Sequence, residues 1–273
     1  MRNLTPGFGF KFGLAVVAVA VLAAALAPWI APHDPNGFDL ALRLSPSRPG
    51  HFLGLDEEGR DLFSLILWGA RVSLLVSVLT VSGCAALGTV SGLTAGYFGG
   101  RWDHAFTFVT DVILSFPSIL LLIAFAAFWR DGGVLSLVVI LTSVGWVGYA
   151  RVVRGQTLSL KERDYVKAAI AAGASTPRIW LKHLVPNLLA PLLVQATFGM
   201  AGVILAESTL SFLGLGVSTD IPTWGRLIDQ GVQYLLIAPH VALWPGMAMA
   251  AVILGFNFLG DGLRDRLDVK EVR

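Results

Sequence analysis

Charge is scarce in this sequence: Asp, Glu, Lys and Arg together make up 14% of its 273 residues, while hydrophobic residues make up 55%. A soluble domain carries about 25% charged residues. A chain solvated mainly by water is therefore disfavoured, and the bilayer is the expected solvent. Cysteine is nearly absent too. Cys84 stands alone in an apolar stretch, which excludes a disulfide within the chain and a cysteine-rich metal site. The formal net charge of +2 is too small to point to nucleic acid or to an acidic partner, so where the charges lie matters more than their sum.

Catalytic motifs are missing as well. No lysine precedes Ser or Thr, so none completes the phosphate loop that ATP hydrolysis by this chain needs. The patterns Gly-x-Ser-x-Gly, His-Glu-x-x-His and Gly-x-Gly-Asp do not occur; Gly260-Asp261 comes nearest, but position 258 is Phe. No catalytic residue is assigned. A membrane enzyme is a minor alternative, and activity in the isolated chain is what would favour it. The five histidines, His33, His51, His104, His183 and His240, are scattered and none has helical metal-ligand spacing with another, so no metal ligand is expected.

What the chain has instead is long apolar runs. A hydrocarbon core about 30 Å thick takes about 20 apolar residues per helix. Six runs qualify: Phe12 to Ile30, Val72 to Phe98, Phe106 to Phe128, Val134 to Val153, Leu188 to Leu205 and Val241 to Leu259. The expected fold is thus an all-α integral membrane protein of about six spanning helices. The first run also has signal-peptide marks, with Arg2 and Lys11 before it and Ala25-Leu-Ala27 as a small-x-small site. Pro28 would follow that cut directly and the run is long for a signal, so an uncleaved helix is preferred. Gly88, Gly92 and Gly96 recur every four residues on one helix face and admit a close backbone, chiefly within the subunit.

Cytoplasmic loops retain an excess of Lys and Arg. With the N-terminus inside, 14 of the 20 basic residues fall on the cytoplasmic side. Arg151, Arg154, Lys161, Arg163, Lys167, Arg178 and Lys182 cluster in the one segment between the fourth and fifth runs, and both termini are then cytoplasmic. The opposite side takes Arg43, Arg48, Arg60, Arg71, Arg130 and Arg226. It has two long segments, one from Ala31 to about Arg71, whose end Asp61 to Trp68 is placed at the interface, and one from Glu207 to His240. Ionisable groups within the membrane are few; Asp111 lies near a cytoplasmic end where a partner or snorkelling satisfies it. Gln195 and Asn257 are read as interhelical hydrogen-bonders. So little buried charge argues against an ion-coupled secondary carrier, the main rival class, as does the lack of two repeats with interrupted helices. A purely structural subunit is a further rival.

The segment from Arg151 to Asn187 is the most informative. Glu162 to Ala172 lacks Pro and Gly and is rich in alanine, Gly173 suits the left-handed position past a helix end, and Ser175-Thr176-Pro177 starts a second short helix. That helix runs to about Leu184, and Pro186 separates it from the fifth span. Ala168, Ala169, Ala171, Ala172 and Ala174 leave a low-profile surface that fits another protein's groove, with basic residues around it.

Lys167-Ala168-Ala169, Gly173 and Pro186 match the Glu-Ala-Ala-x-x-x-Gly loop of ABC importer permeases. More narrowly, the chain resembles the second permease subunit of the dipeptide, oligopeptide and nickel uptake group over nearly its whole length. The resemblance is carried by His51-Phe-Leu-Gly-Leu-Asp-Glu-Glu-Gly-Arg-Asp61, Gly69-Ala-Arg-Val-Ser-Leu74, Ser115-Phe-Pro-Ser118, Tyr149-Ala-Arg-Val-Val-Arg154, Ser211-Phe-Leu-Gly-Leu-Gly216 and Phe256-Asn-Phe-Leu-Gly-Asp-Gly-Leu-Arg-Asp265. Departures are Lys167 for the usual Glu, His183 for an apolar residue, Leu55 for a common Thr and Val269 for a frequent Pro.

The resemblance implies a subunit of a bacterial or archaeal plasma (inner) membrane importer. Residues 1–71 form an N-terminal helix and external segment, and residues 72–273 a five-helix permease core with its coupling loop at 151–187. Lys167, Ala168, Ala169, Gly173 and Pro186 would face an ATP-binding subunit. Implied partners are a homologous permease, two ATP-binding subunits that hold ATP and Mg, an external substrate-binding protein and membrane lipid, with no nucleic acid. Peptide and nickel systems share these blocks, so a nickel or metal-chelate permease is the alternative within the family, and no substrate-contacting residue is named.

Overall fold

The computed structural model describes residues 7–129, 133–217 and 221–271, with side chains through 267. Arg2, Arg130 and the side chain of Val269 lie outside these. The described residues form ten α-helices joined by turns and bends. Five helices are long and apolar enough to cross a membrane, or six spans if one sharply bent pair counts as one.

The first helix, α1 (Phe8–Ile30), leads into an extended, proline-containing segment with one short 3-10 turn at Leu40–Leu42. The second, α2 (Leu62–Phe98), begins well before the expected Val72. Its cap explains why: the Asp61 carboxylate accepts from the Ser64 backbone N–H at 2.8 Å, a strong start signal. Leu62, Leu65, Ile66 and Leu67 are buried. The Asp61 to Trp68 stretch, expected at the interface, is therefore the packed first part of a spanning helix.

The third expected span is not one rod. Helices α3 (Gly100–Leu114) and α4 (Ser118–Phe128) meet at 86°. Pro117 has no N–H to continue the ladder and drives Phe116 out of the helical region, so the chain turns at Ser115-Phe116-Pro117.

Helix α5 (Val134–Leu160) packs along α2 through the glycine stripe. A Cβ on Gly88 would lie 2.5 Å from the Tyr149 Cβ, one on Gly92 2.5 Å from the Ala150 carbonyl oxygen, and one on Gly96 2.8 Å from the Thr157 Cβ. Both partners are in one chain, so the stripe serves packing within the subunit. Two short helices, α6 (Asp164–Ala171) and α7 (Thr176–Ile179), cross from α5 to α8 (Val185–Phe212).

Between α7 and α8 the chain makes one π-turn, Trp180–Leu184, and does not break. The Val185 N–H reaches back to the Trp180 carbonyl, and Pro186 falls in the first turn of α8. The expected separation at Pro186 is thus absent: a wide turn before the proline absorbs its missing N–H. The amphipathic α9 (Trp224–Val232) and the long α10 (His240–Glu271) complete the fold.

Several apolar clusters hold the spans together, two of them prominent among the described residues. One gathers Val76, Leu122, Leu137, Leu141 and Leu210 from α2, α4, α5 and α8. The other gathers Ala24, Leu74, Ile204, Trp224, Val252 and Phe256. Large apolar side chains remain exposed all round, among them Val19, Val90, Phe108, Leu135 and Leu193. A water-soluble monomer does not expose so much apolar surface, whereas lipid or neighbouring membrane subunits cover it.

Candidate functional site

The loop between α5 and α8 is a built structure. Helix α6 ends in a double-bonded cap: the Gly173 N–H donates to the Ile170 carbonyl at 2.9 Å and the Ala174 N–H to the Ala169 carbonyl at 3.0 Å. This cap needs a left-handed residue just past the helix, and Gly173 has φ 78°. The Ser175 backbone is extended, and Thr176 and Pro177 open α7, with Pro177 in its first turn.

Beneath the bend lies an apolar base. Val166, Ile179, Leu184 and Leu188 are fully buried with Leu93 of α2 and Val153 of α5. Each such side chain contributes about 1.5–3 kcal/mol when withdrawn from water. The Lys161 ammonium donates to the Gly96 carbonyl at 3.1 Å, which favours the C-terminal end of α2. Arg154 forms a two-pronged pair with Asp103 of α3. Arg151 pairs with Asp111, so of the two ways expected to satisfy that acid, snorkelling or a partner, a partner is present.

On this base sits an outward face of small side chains. Ala168, Ala171, Ala172 and Gly173 are exposed, Ala169 half-buried, and a Cβ on Gly173 would meet nothing. Lys167, in place of the family's usual acid, pairs with Glu162 at 3.0 Å, both well exposed. That hydrogen bond and charge hold the Glu162 carboxyl below its usual range. The structure therefore brings Lys167, Ala168, Ala169 and Gly173 onto one projecting knuckle. Pro186 lies apart, exposed at the start of α8 beside a cavity of about 650 Å³. Gln156, Asn187, Gln195 and Pro191 line that cavity with residues of α5, α8 and α10. Gln195, expected to bond between helices, faces this space.

At the opposite end of the bundle is a buried polar cluster that the sequence reading passed over. Glu207, assigned there to an external segment, lies inside α8 with no exposure. Its carboxylate accepts from the hydroxyls of Ser73 at 3.0 Å, Ser208 at 3.3 Å and Ser211 at 2.8 Å. The signal was Glu207 and Ser211 four apart in one apolar helix. One buried ionisable side chain thus escaped the reading that argued against an ion-coupled carrier. The histidines are also less scattered than they look: His33 and His51 stack with ring centroids 4.4 Å apart, beside Asp61.

A helical bundle with broken and long spans, a knuckled loop and a cavity beside it with polar side chains among its lining defines a membrane transport subunit. Residues 88–271 match the family described as binding-protein-dependent transport system inner membrane component, and residues 9–46 match the N-terminal TM domain of oligopeptide transport permease C. The chain belongs to this family of ABC importer permeases.

A relative from Brucella suis biovar 1 named for a peptide transport system permease is 43% identical over 268 residues, covering 98% of this chain and 90% of its own. The dipeptide transport system permease protein of Alkalihalophilus pseudofirmus is 40% identical over 259 residues, covering 94% and 84%. Among solved structures, a chain of the inward-facing MetNI methionine ABC transporter shares the fold, with TM-score 0.59 and 21% identity, covering 73% of this chain and 94% of its own.

Proposed function

We propose that this permease forms half of a translocation pathway for peptides, and that the knuckle at residues 164–179 is where an ATP-binding subunit docks and moves it. The observation that carries the reading is the pairing of an exposed small-residue face with a base buried against α2 and α5: force applied at Ala168 and Gly173 reaches the spanning helices through packed side chains. Pro186, at the root of α8, transmits that motion to the cavity wall. A peptide cargo is supported by the names of the relatives, and the amides of Gln156, Asn187 and Gln195, with Arg264 in the same lining, suit the polar groups of a peptide.

On this reading the knuckle and both termini are cytoplasmic. A homologous permease supplies the other half of the path, two ATP-binding subunits bind and hydrolyse ATP with Mg, and an external binding protein delivers cargo. The N-terminal helix and the external segment after it end at Asp61, and the core begins with α2 at Leu62, ten residues before the expected boundary at 72. The exposed apolar faces meet lipid and the second permease.

The test is the assembled transporter carrying Gly173→Asp or Ala168→Asp. Membrane levels should stay near wild type, because neither position is buried in this chain, while co-purification of the ATP-binding subunits and peptide uptake fall at least tenfold. The chain purified alone should hydrolyse no ATP. Normal uptake in both variants would show an ordinary solvated loop.

A further inference from the structure

We propose that His33, His51 and Asp61 form a binding site for a zinc-class divalent cation on the face of the protein opposite the knuckle. The three residues come from separate segments. His33 follows α1, His51 sits in a tight turn paired with Arg48, and Asp61 caps α2. Folding nonetheless puts one ligand atom of each within 4.8 Å of the others. The His51 Nδ1 is 3.0 Å from one Asp61 oxygen and the His33 Nδ1 is 3.8 Å from the other. With bonds of about 2.0–2.1 Å, ligand atoms around tetrahedral zinc stand about 3.4 Å apart, between these two separations.

The chemistry of the set agrees. Two imidazoles and one carboxylate are the ligands of borderline transition ions, and three protein ligands leave a fourth position for water. The carboxylate is already aimed. Ser64 donates to Asp61 Oδ2 through its backbone N–H and its hydroxyl, both at 2.8 Å, and the same hydroxyl accepts from the His33 backbone N–H at 3.2 Å. Such outer hydrogen bonds orient first-sphere ligands.

Arg60, next in the chain to Asp61, is already paired: Asp56 holds it at 2.7 Å and Glu58 at 3.2 Å. Access is open on one side, since the His33 side chain is 40% exposed while that of Asp61 is 1% exposed. With both Nδ1 atoms turned to the ion, the Nε2 atoms carry the protons. A bound ion would pin the segment after α1 to the start of α2.

The experiment uses the full chain without a histidine tag, purified in detergent and stripped with a chelator. Equilibrium dialysis against zinc chloride, with metal counted by mass spectrometry, should give one zinc per chain. His33→Ala and His51→Ala should each weaken binding about tenfold or more, while His104→Ala leaves it unchanged. Zinc should raise the melting temperature of the wild type and not that of His33→Ala, whose metal-free melting should match the wild type because His33 is exposed. Less than one zinc per wild-type chain, or undiminished binding in both His33→Ala and His51→Ala, would overturn the proposal.

Discussion

Glu207 shows how a single ionisable residue is made tolerable inside a spanning bundle. An isolated carboxylate in an apolar interior costs several kcal/mol, and hydroxyl donors offset that cost. Here the donors come from the same helix, Ser208 and Ser211, and from Ser73 of α2, so the cluster also ties α8 to α2. Glu207→Gln keeps the volume and one carbonyl acceptor, and the hydroxyls can turn to accept from the amide; it should cost about 1 kcal/mol. Glu207→Ala leaves Ser73 without its acceptor and opens a cavity, and should cost about 2–4 kcal/mol. Thermal melting of the purified variants in detergent measures both. An alanine variant as stable as the wild type would mean the cluster contributes nothing to cohesion. The one local hint was Ser211 four residues on; Glu207 lies near the end of an apolar run, where a loop and a buried helix turn look alike.

Between elements, the contact of α2 with α5 decides the shape of the bundle. At Gly92 an added Cβ would press within 2.5 Å of the Ala150 carbonyl and within 2.8 Å of the Val153 Cβ, so the two backbones must part. Gly155, on α5 itself, would meet nothing within 4 Å. Gly92→Ala should therefore destabilise by about 1–3 kcal/mol through overpacking, while Gly155→Ala should be neutral or stabilise by up to about 1 kcal/mol through helix propensity. Melting temperatures of the two variants, read side by side, check this; the opposite order would exclude the close α2–α5 approach. The four-residue spacing of Gly88, Gly92 and Gly96 was legible because a helix turns every 3.6 residues. The bend at Pro117 and the π-turn before Pro186 were not. Both prolines remove one hydrogen bond, and only neighbouring packing determines whether the chain turns sharply or rides through.

For the whole molecule, the proposed orientation has a direct check. Single cysteines at Ser159 and Leu236, in a Cys84→Ala background, can be treated with an impermeant thiol reagent in intact cells. Both native positions are exposed, and Leu236 stands fully free at 101%. Labelling is expected at Leu236→Cys alone; labelling at Ser159→Cys alone would invert the topology. Cys84 is buried and small, so its replacement by alanine should not disturb packing.

The sequence by itself determined that this is a multi-pass membrane protein, because apolar run length is a one-dimensional property that bilayer thickness reads directly, and its motif blocks carried the resemblance to the permease family. It also determined the cap at Gly173, since a left-handed bend after an alanine helix is a local matter. Tertiary structure alone decided that Glu207 is interior, that Gln195 faces a cavity, and that His33, His51 and Asp61 meet. Those outcomes depend on which helix faces are turned toward one another, and residues far apart in the chain acquire their chemistry only when packing brings them within a few ångströms.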